Sequence, residues 1–450
     1  MIIHKFIPTF ISITVGIFVY FYFSFEPNKT LRTEIAHIVE TNYVEQKTLS
    51  SYKDSQSIRA WLRQLDPHSY YLPPAVAIKN TDEMKGVFVG IGIHLYMHLD
   101  TPIIIYVVPK SPAAIYGVLP GDRIIAINKK SIASIAQLDT SIYDYLQGIE
   151  GSICNLQLFN PQKKKSFSKK IIRKEIPYSV AQNIYLTANK IGYAKFDVFN
   201  QNAHRQLLDS LDILSKKGMK ALILDLRNNP GGLLDQAVAI ANEFLPKKAI
   251  ITSVKGRKRK EVFYYANGSG KYQKLKVYLL INENSASASE ILAASLQENK
   301  RATVIGSRSY GKGLVQESYT LINGGNFNIT VARYYTPKGK LLQKHYPYIL
   351  ADTSYGISPN YYVKASDLAF PDYAAFSWAL DQALYTQPWS NIYASPLDFS
   401  LAALPNISSD SILYKMALGI AIFGPSAHET LAAKQDMPLQ FALALIAKKN

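Results

Sequence analysis

The sequence predicts an α/β core, a sheet with helices, preceded by a β-rich domain and flanked by helical segments at both ends of the chain. Three observations carry this prediction. From residue 176 to about 363 strand and helix signals alternate, and Ala221-Leu222-Ile223-Leu224-Asp225-Leu226 is the near-continuous apolar run of a strand covered on both faces. From residue 83 to about 175 the signals are short strands and tight turns. Outside these two regions apolar residues recur at helical spacing.

The 450 residues are 48% hydrophobic and 18% charged, enough apolar surface for packed cores and too much for a disordered chain. At about 100–200 residues per domain, two to four domains are expected. A formal net charge of +17 suits an anionic membrane surface or nucleic acid. The strongest basic runs are Lys163-Lys164-Lys165 with Lys169-Lys170, and the stretch from Lys255 to Lys260. Both lie between strand signals. They read first as solvated hairpin tips and second as a lipid-facing patch. No aromatic-and-basic recognition motif accompanies them, so no nucleic-acid partner is expected. One cysteine, Cys154, permits no internal disulfide and falls in an apolar strand pattern, as a small core residue.

Taken in order, residues 1–27 hold a charge-free run from Phe6 to Phe25 behind His4 and Lys5. Twenty residues at about 1.5 Å each span about 30 Å, the thickness of a bilayer core. No small-x-small cleavage site follows, which favours an uncleaved signal anchor over a cleaved signal peptide. Residues 28–80 are expected to be helical: Leu31, Ile35, Ile38 and Val39, then Trp61, Leu62 and Leu65, keep helical spacing until Asp66-Pro67 and Pro73-Pro74 break it. Residues 81–175 form the β-rich domain. A strand over Val87-Phe88-Val89-Gly90-Ile91-Gly92-Ile93 is interrupted by two glycines. A buried strand covers residues 103–108, a turn at Pro120-Gly121-Asp122 leads into Ile124-Ile125-Ala126-Ile127, and Asn160-Pro161-Gln162 breaks a late hairpin. In residues 176–365 the strand at 221–226 is followed by a glycine turn and a helix from Leu233, and residues 277–281 open a second strand–turn–helix unit. Residues 366–450 read as mainly helical and carry no chemical motif.

Three segments have residues suited to chemistry. Asn284-Ser285-Ala286-Ser287-Ala288-Ser289-Glu290 joins a buried strand to a helix starting near Glu290. A serine there can expose its hydroxyl beside backbone N–H groups that stabilise an oxyanion; as plain structure the cluster is a helix cap. Ser309-Tyr310-Gly311-Lys312-Gly313 sets a lysine between two glycines, which allow close packing around it. A desolvated lysine loses its proton readily and can then take one from a serine; the plain reading is a surface turn. Leu226-Arg227-Asn228-Asn229-Pro230-Gly231-Gly232 opens a helix with exposed N–H groups suited to an anion, or is simply a tight strand-to-helix turn.

Other chemistries fit less well. Gly306 to Lys312 matches most of a phosphate-binding loop, but Gly313 stands where Ser or Thr should hold Mg²⁺, and Leu314-Val315 continues as a strand. The eight histidines are scattered, no Gly-x-Ser-x-Gly elbow exists, and no His/Glu pair has zinc-protease spacing.

Together the segments resemble the carboxyl-terminal processing proteases, also called tail-specific proteases, which are PDZ-containing serine proteases with a Ser-Lys dyad. The resemblance is carried by Leu65-Asp66-Pro67-His68-Ser69-Tyr70-Tyr71-Leu72, by Pro120-Gly121-Asp122-Arg123-Ile124-Ile125-Ala126-Ile127-Asn128, which is similar to the PDZ signature, and by the three segments above with Val315-Gln316. Tyr335-Thr336-Pro337-x-Gly339, Gly356-Ile357-x-Pro359 and a closing Asp436-Met437-Pro438-Leu439 follow. It implies Ser287 as nucleophile and Lys312, 25 residues on, as general base, with Gln316 orienting the lysine. Ser285 and Ser289 compete with Ser287 for that role. The N–H groups of Ala288 and of the Gly231-Gly232 turn would form the oxyanion hole, and Glu290 and Glu298 would support the site. Val89, Gly90, Ile91, Gly92 and Ile93 would bind a substrate tail, with Ile91 and Ile93 lining an apolar pocket. The implied enzyme needs no metal or cofactor. Its partners would be proteins or peptides with free apolar C-termini, and the N-terminal segment would hold it at the bacterial inner membrane, facing the periplasm. A catalytically inactive PDZ scaffold is the alternative, and intact Ser287, Lys312 and Gln316 speak against it. The chain departs from the family pattern at Ser307-Arg308, where an acidic residue is expected, and in the long segment after Val363.

Overall fold

Alternating strands and helices between Ile184 and Tyr362 build a six-stranded sheet in the order 184–186, 191–195, 221–225, 276–281, 302–306 and 361–362. Only the first pair is antiparallel; every later neighbour is parallel. The structure, a computed structural model, describes residues 27–47, 49, 57–98, 101–136, 141–161, 163–177, 180, 184–344, 354–364 and 436–448. The expected signal anchor and most of the C-terminal segment therefore lie outside the described residues. Among those described, no helix is long and apolar enough to cross a membrane.

The apolar run at 221–226 is explained by cover on both faces. Because side chains alternate along a strand, Leu222 and Leu224 join Val277, Leu279 and Val304 on one face, under the helices Ala203–Lys216, Leu234–Phe244 and Ala288–Glu298. Ala221, Ile223, Tyr278, Leu280 and Ile305 fill the other face, against Leu439, Ala442 and Ile446 of the closing helix Met437–Lys448. The two layers thus come from distant parts of the chain.

A second, antiparallel sheet runs 70–72, 326–335, 250–256 and 262–265, with Leu314–Thr320 also paired to Asn326–Tyr335. Leu31, Ile35, Ile38 and Val39 of the helix Pro27–Asn42 pack there with Trp61, Leu62, Leu65, Phe327 and Ile329. The helical expectation for residues 28–80 needs one correction: Tyr70–Leu72 is a strand, added to the edge of Asn326–Tyr335. Three residues are too short to show a period, and its partner lies far along the sequence.

The β-rich domain is a sheet of Ile93–His98, Thr101–Val107, Arg123–Ile127, Ile153–Asn160 and Lys165–Ile172, with short helices Pro112–Ile115 and Ile142–Leu146 closing its core. Cys154 is buried in that core. Val87–Gly90 pairs instead with Lys174–Pro177, so the two-glycine strand breaks in two as the sequence indicated. Gly92 sits at the break with φ 83°, and a β-carbon there would stand 2.3 Å from Cβ of Ser111. The basic runs lie at the hairpins 160–165 and 256–262, where Lys163, Lys164, Lys165, Lys258 and Lys260 are exposed.

Candidate active site

The strand Lys276–Ile281 delivers the chain into a turn that ends at Ser287, one residue before the helix Ala288–Glu298. Ser285, Ser287 and Ser289, the last already in the helix, are all buried, yet they do different things. Ser285 Oγ donates to the Leu226 carbonyl at 2.8 Å and accepts from the Asn282 N–H at 2.9 Å. Ser289 Oγ donates to the Asn229 carbonyl at 3.0 Å. Both hydroxyls therefore fasten this turn to the neighbouring turn 226–232. Ser287 alone of the three has a positive φ, at φ 56°, ψ −115°. A non-glycine residue so placed costs about 1–3 kcal/mol and persists only where its surroundings hold it.

The holding groups are visible. Glu290 Oε2 accepts the Ser287 N–H at 2.9 Å, and the Ala286 N–H donates to the Asn229 carbonyl at 3.0 Å. Gly231 and Gly232, at φ 101° and 141°, let the neighbouring turn approach. A β-carbon on Gly231 would stand 2.8 Å from Cβ of Ser287 and 2.9 Å from the Ala288 nitrogen, and one on Gly232 would stand 2.3 Å from the Phe199 carbonyl oxygen. The Gly231 N–H is committed to Asn229 Oδ1 at 2.9 Å. The N–H groups of Gly232 and Ala288 have no acceptor among the described residues. Of the three expected oxyanion donors, two are thus free to bind.

Lys312 lies on an irregular segment that runs into the strand Leu314–Thr320 and not into a helix, which removes the phosphate-loop reading. Glu290 joins this segment to the serine. Its Oε1 accepts the Ser309 hydroxyl at 2.6 Å and the Gly311 N–H at 2.7 Å, and its Oε2 accepts the Lys312 N–H at 2.8 Å. One oxygen thus takes the backbone N–H of both Ser287 and Lys312, so those nitrogens are no further apart than two hydrogen bonds end to end. Burial pushes the Glu290 carboxyl up, and its four donors oppose that shift. Burial pushes the Lys312 ammonium down from its ordinary value, against the charges of Asp66 and Glu290. Its ammonium makes no hydrogen bond among the described residues.

Other expected residues fall differently. Gln316 donates through Nε2 to Thr330 Oγ1 at 3.3 Å, and no bond joins it to Lys312. Glu298 is at the far end of its helix, accepting the Lys338 N–H at 2.8 Å, and is not part of the site. Ser307 and Arg308, at the position of the missing acid, bind Glu283 and the Tyr355 carbonyl. Gly90, Ile91, Gly92 and Ile93 line a cleft of about 680 Å³, whose far wall is Asp197, Val198, Asn228 and Pro230 of the α/β core. Ile91 and Ile93 are at once core residues of the β-rich domain. Val89 does not line the cleft; its carbonyl accepts the Gly148 N–H. The cleft reaches Ile93 and His94 of the strand Ile93–His98, which pairs with one strand only among the described residues, and the next residue's N–H, that of Leu95, donates to the Tyr143 hydroxyl at 3.1 Å.

Sequence reasoning gave no role to the contact between Arg227 and the closing helix. Arg227 binds both Asp225 and Asp436, the Nη1 bond to Asp436 Oδ1 being 2.8 Å, while Lys195 Nζ donates to the Arg227 carbonyl at 3.0 Å and Tyr193 to Asp225 at 2.8 Å. Only the resemblance at Asp436 hinted at it, since 209 residues separate the partners.

A serine strained at a helix start, beside uncommitted N–H groups and tied to the turn of a desolvated lysine, is arranged for acyl transfer, and with the PDZ-type sheet it defines a PDZ-containing serine peptidase. A model of peptidase family S41 matches residues 190–363, and one of the PDZ domain matches residues 103–158. A carboxy-terminal-processing protease of Bartonella bacilliformis is 36% identical over 69% of this chain and 71% of its own length. The carboxy-terminal processing protease CtpB of Bacillus subtilis is 30% identical over 73% of this chain and 66% of its own length. A putative S41 protease from Bacteroides fragilis shares the fold, with a TM-score of 0.52 at 17% identity, over 92% of this chain and 97% of that one. The chain belongs to peptidase family S41, as a serine peptidase of the carboxy-terminal processing protease group.

Proposed function

We propose that this protein is a serine endopeptidase with a Ser287–Lys312 dyad, that it cuts extracytoplasmic proteins near their C-termini, and that its PDZ domain holds their apolar tails. The strained backbone of Ser287 carries the reading, because it separates that serine from Ser285 and Ser289, whose hydroxyls are committed to structure. Neutral Lys312 takes the Ser287 proton as Oγ attacks the peptide carbonyl. The oxyanion sits between the N–H groups of Ala288 and Gly232. Protonated Lys312 then gives its proton to the leaving amine, and water releases the acyl group by the reverse steps. The test uses a disordered peptide. Ser287→Ala and Lys312→Ala should each lower kcat by about 10⁴-fold or more, and together no further, since the two act as a unit. Near-normal hydrolysis by Ser287→Ala would move the assignment to another serine, and an unreactive wild-type protein would favour the inactive scaffold.

The charge-free run from Phe6 to Phe25 supports a membrane anchor, with the remainder outside the cytoplasm, facing the periplasm at the inner membrane. Membranes washed at alkaline pH should retain the protein. Complete release into the wash excludes the anchor.

A further inference from the structure

In the chemistry above the motif at residues 65–72 enters only through the charge of Asp66 on Lys312, yet it is also bonded to the strand pair that carries Gln316. Tyr70–Leu72 pairs with Asn326–Tyr335, Tyr70 standing opposite Asn328. Just before it, buried Ser69 donates to Asp66 Oδ2 at 2.8 Å and accepts the Thr330 N–H at 3.1 Å, and its Oγ lies 3.4 Å from Thr330 Oγ1. Thr330, wholly buried, accepts from Gln316 Nε2 at 3.3 Å. The register brings the last two together: pairing slips between Val315 and Gln316, so that Gln316 faces Thr330. Such an irregularity re-aims the side chains beyond it.

Counting protons gives the chain a direction. A hydroxyl has one proton, and that of Ser69 is taken by Asp66 at the shorter distance. The 3.4 Å contact therefore receives no second proton from Ser69, and Thr330 Oγ1 is left to accept from the amide. Gln316 Nε2 donates to Thr330 Oγ1, the Thr330 backbone N–H donates to Ser69 Oγ, and Ser69 donates to the Asp66 carboxylate. An amide has two unlike ends, and holding Nε2 leaves Oε1 as the end that can meet another donor. A neutral lysine that takes a proton through its lone pair has two N–H bonds to place, and an acceptor on one of them fixes where the lone pair points. Turned round, the amide would offer N–H to N–H and could not do this.

We propose that Asp66, Ser69 and Thr330 are positioning residues that hold the Gln316 amide with Oε1 available to Lys312. This rests on the reading of Ser287 and Lys312 as the dyad. It gives the residue 65–72 motif a task in catalysis, exercised from outside the PDZ domain and the α/β sheet.

The test compares full-length variants on one peptide. Thr330→Val keeps the shape and removes the hydroxyl; kcat should fall by about tenfold with KM unchanged. Thr330→Ser, which restores the hydroxyl, should recover to within about threefold of wild type. Thr330→Val combined with Gln316→Ala should be no slower than Gln316→Ala alone, because both act through one amide. If Thr330→Val does not fold, Ser69→Ala breaks the same chain and must show the same dependence on Gln316. Wild-type kcat in Thr330→Val, equal damage in Thr330→Ser, or losses that multiply with Gln316→Ala overturn the proposal. Activity surviving in Ser287→Ala or Lys312→Ala would instead mean that the dyad reading itself is wrong.

Discussion

Ser287 and Lys312 are each held in a state that an isolated residue avoids, one by backbone geometry and the other by desolvation. For the lysine the cost has a sign. Its folded pKa lies below its unfolded one, so between the two values the unfolded chain binds more protons and stability rises with pH. On the proposed dyad the same shift sets the activity. kcat/KM should rise with pH through the folded-state pKa of Lys312, at a midpoint below the ordinary lysine value of about 10.4. Lys312→Arg should be inactive at every pH, because guanidinium keeps its proton. Lys312→Met should be inactive as well, yet melt at a higher temperature near neutral pH, having no charge to bury. A pH–rate profile with no lysine-dependent limb, or an active Lys312→Arg, rules out the base role. The three serines show what a sequence hides at this scale. Without the resemblance, which singles out Ser287, the residues leave Ser285, Ser287 and Ser289 equivalent as caps or nucleophiles, and the dihedral angles and hydroxyl partners give the physical distinction.

At the scale of elements, the turn 226–232 is held from below by ionic contacts. Burial alone would raise the Asp225 carboxyl, but Arg227, then Lys195, hold it well below the usual carboxylate range. That stabilisation is present above the unfolded carboxylate pKa of about 3.9 and is lost as pH falls beneath it. Asp436 adds a second carboxylate to Arg227 and so fastens the closing helix to the turn that carries Gly231 and Gly232. Asp436→Asn should cost about 1–3 kcal/mol, less than breaking an isolated buried pair because Asp225 remains. Activity should fall with it, as the turn loses its anchor. Denaturant unfolding and peptide hydrolysis on the same preparation check both; unchanged stability would show that the helix is held by Leu439, Ala442 and Ile446 alone. These elements also mark how far sequence reading reaches. Periodicity found the buried strand at 221–226 and the helical face of Leu31, Ile35, Ile38 and Val39, because burial leaves a regular trace. It missed the strand at 70–72 and the Arg227–Asp436 pair, which exist only through partners hundreds of residues away.

At the scale of the whole molecule, the feature that matters is the cleft shared by the two domains. Its PDZ wall is the glycine loop at Gly90 to Ile93, and its other wall includes Asn228 and Pro230, immediately before Gly231. A peptide tail bound there would lie against the turn that supplies the Gly232 N–H. A PDZ domain takes such a tail as an added strand and gathers its terminal carboxylate among backbone N–H groups. The edge of Ile93–His98, paired to no second strand among the described residues, offers the strand once the Tyr143 hydroxyl yields the Leu95 N–H. If the tail is read in this way, a peptide ending in apolar residues should be cut faster than its C-terminally amidated twin. The amide lacks the charge, and hydrogen bonds to a charged group are worth about 1.5–3 kcal/mol, so the ratio should be roughly tenfold or more. Gly92→Ala supplies the control within the intact chain: at φ 83° its β-carbon would meet Ser111, so the loop must shift and the preference for the acid should shrink toward one. Because Gly92 lies outside the catalytic turns, the amidated peptide should still be cut by that variant at close to the wild-type rate. Equal rates on acid and amide in the wild-type protein would mean that this cleft does not select its substrates by their C-terminal charge.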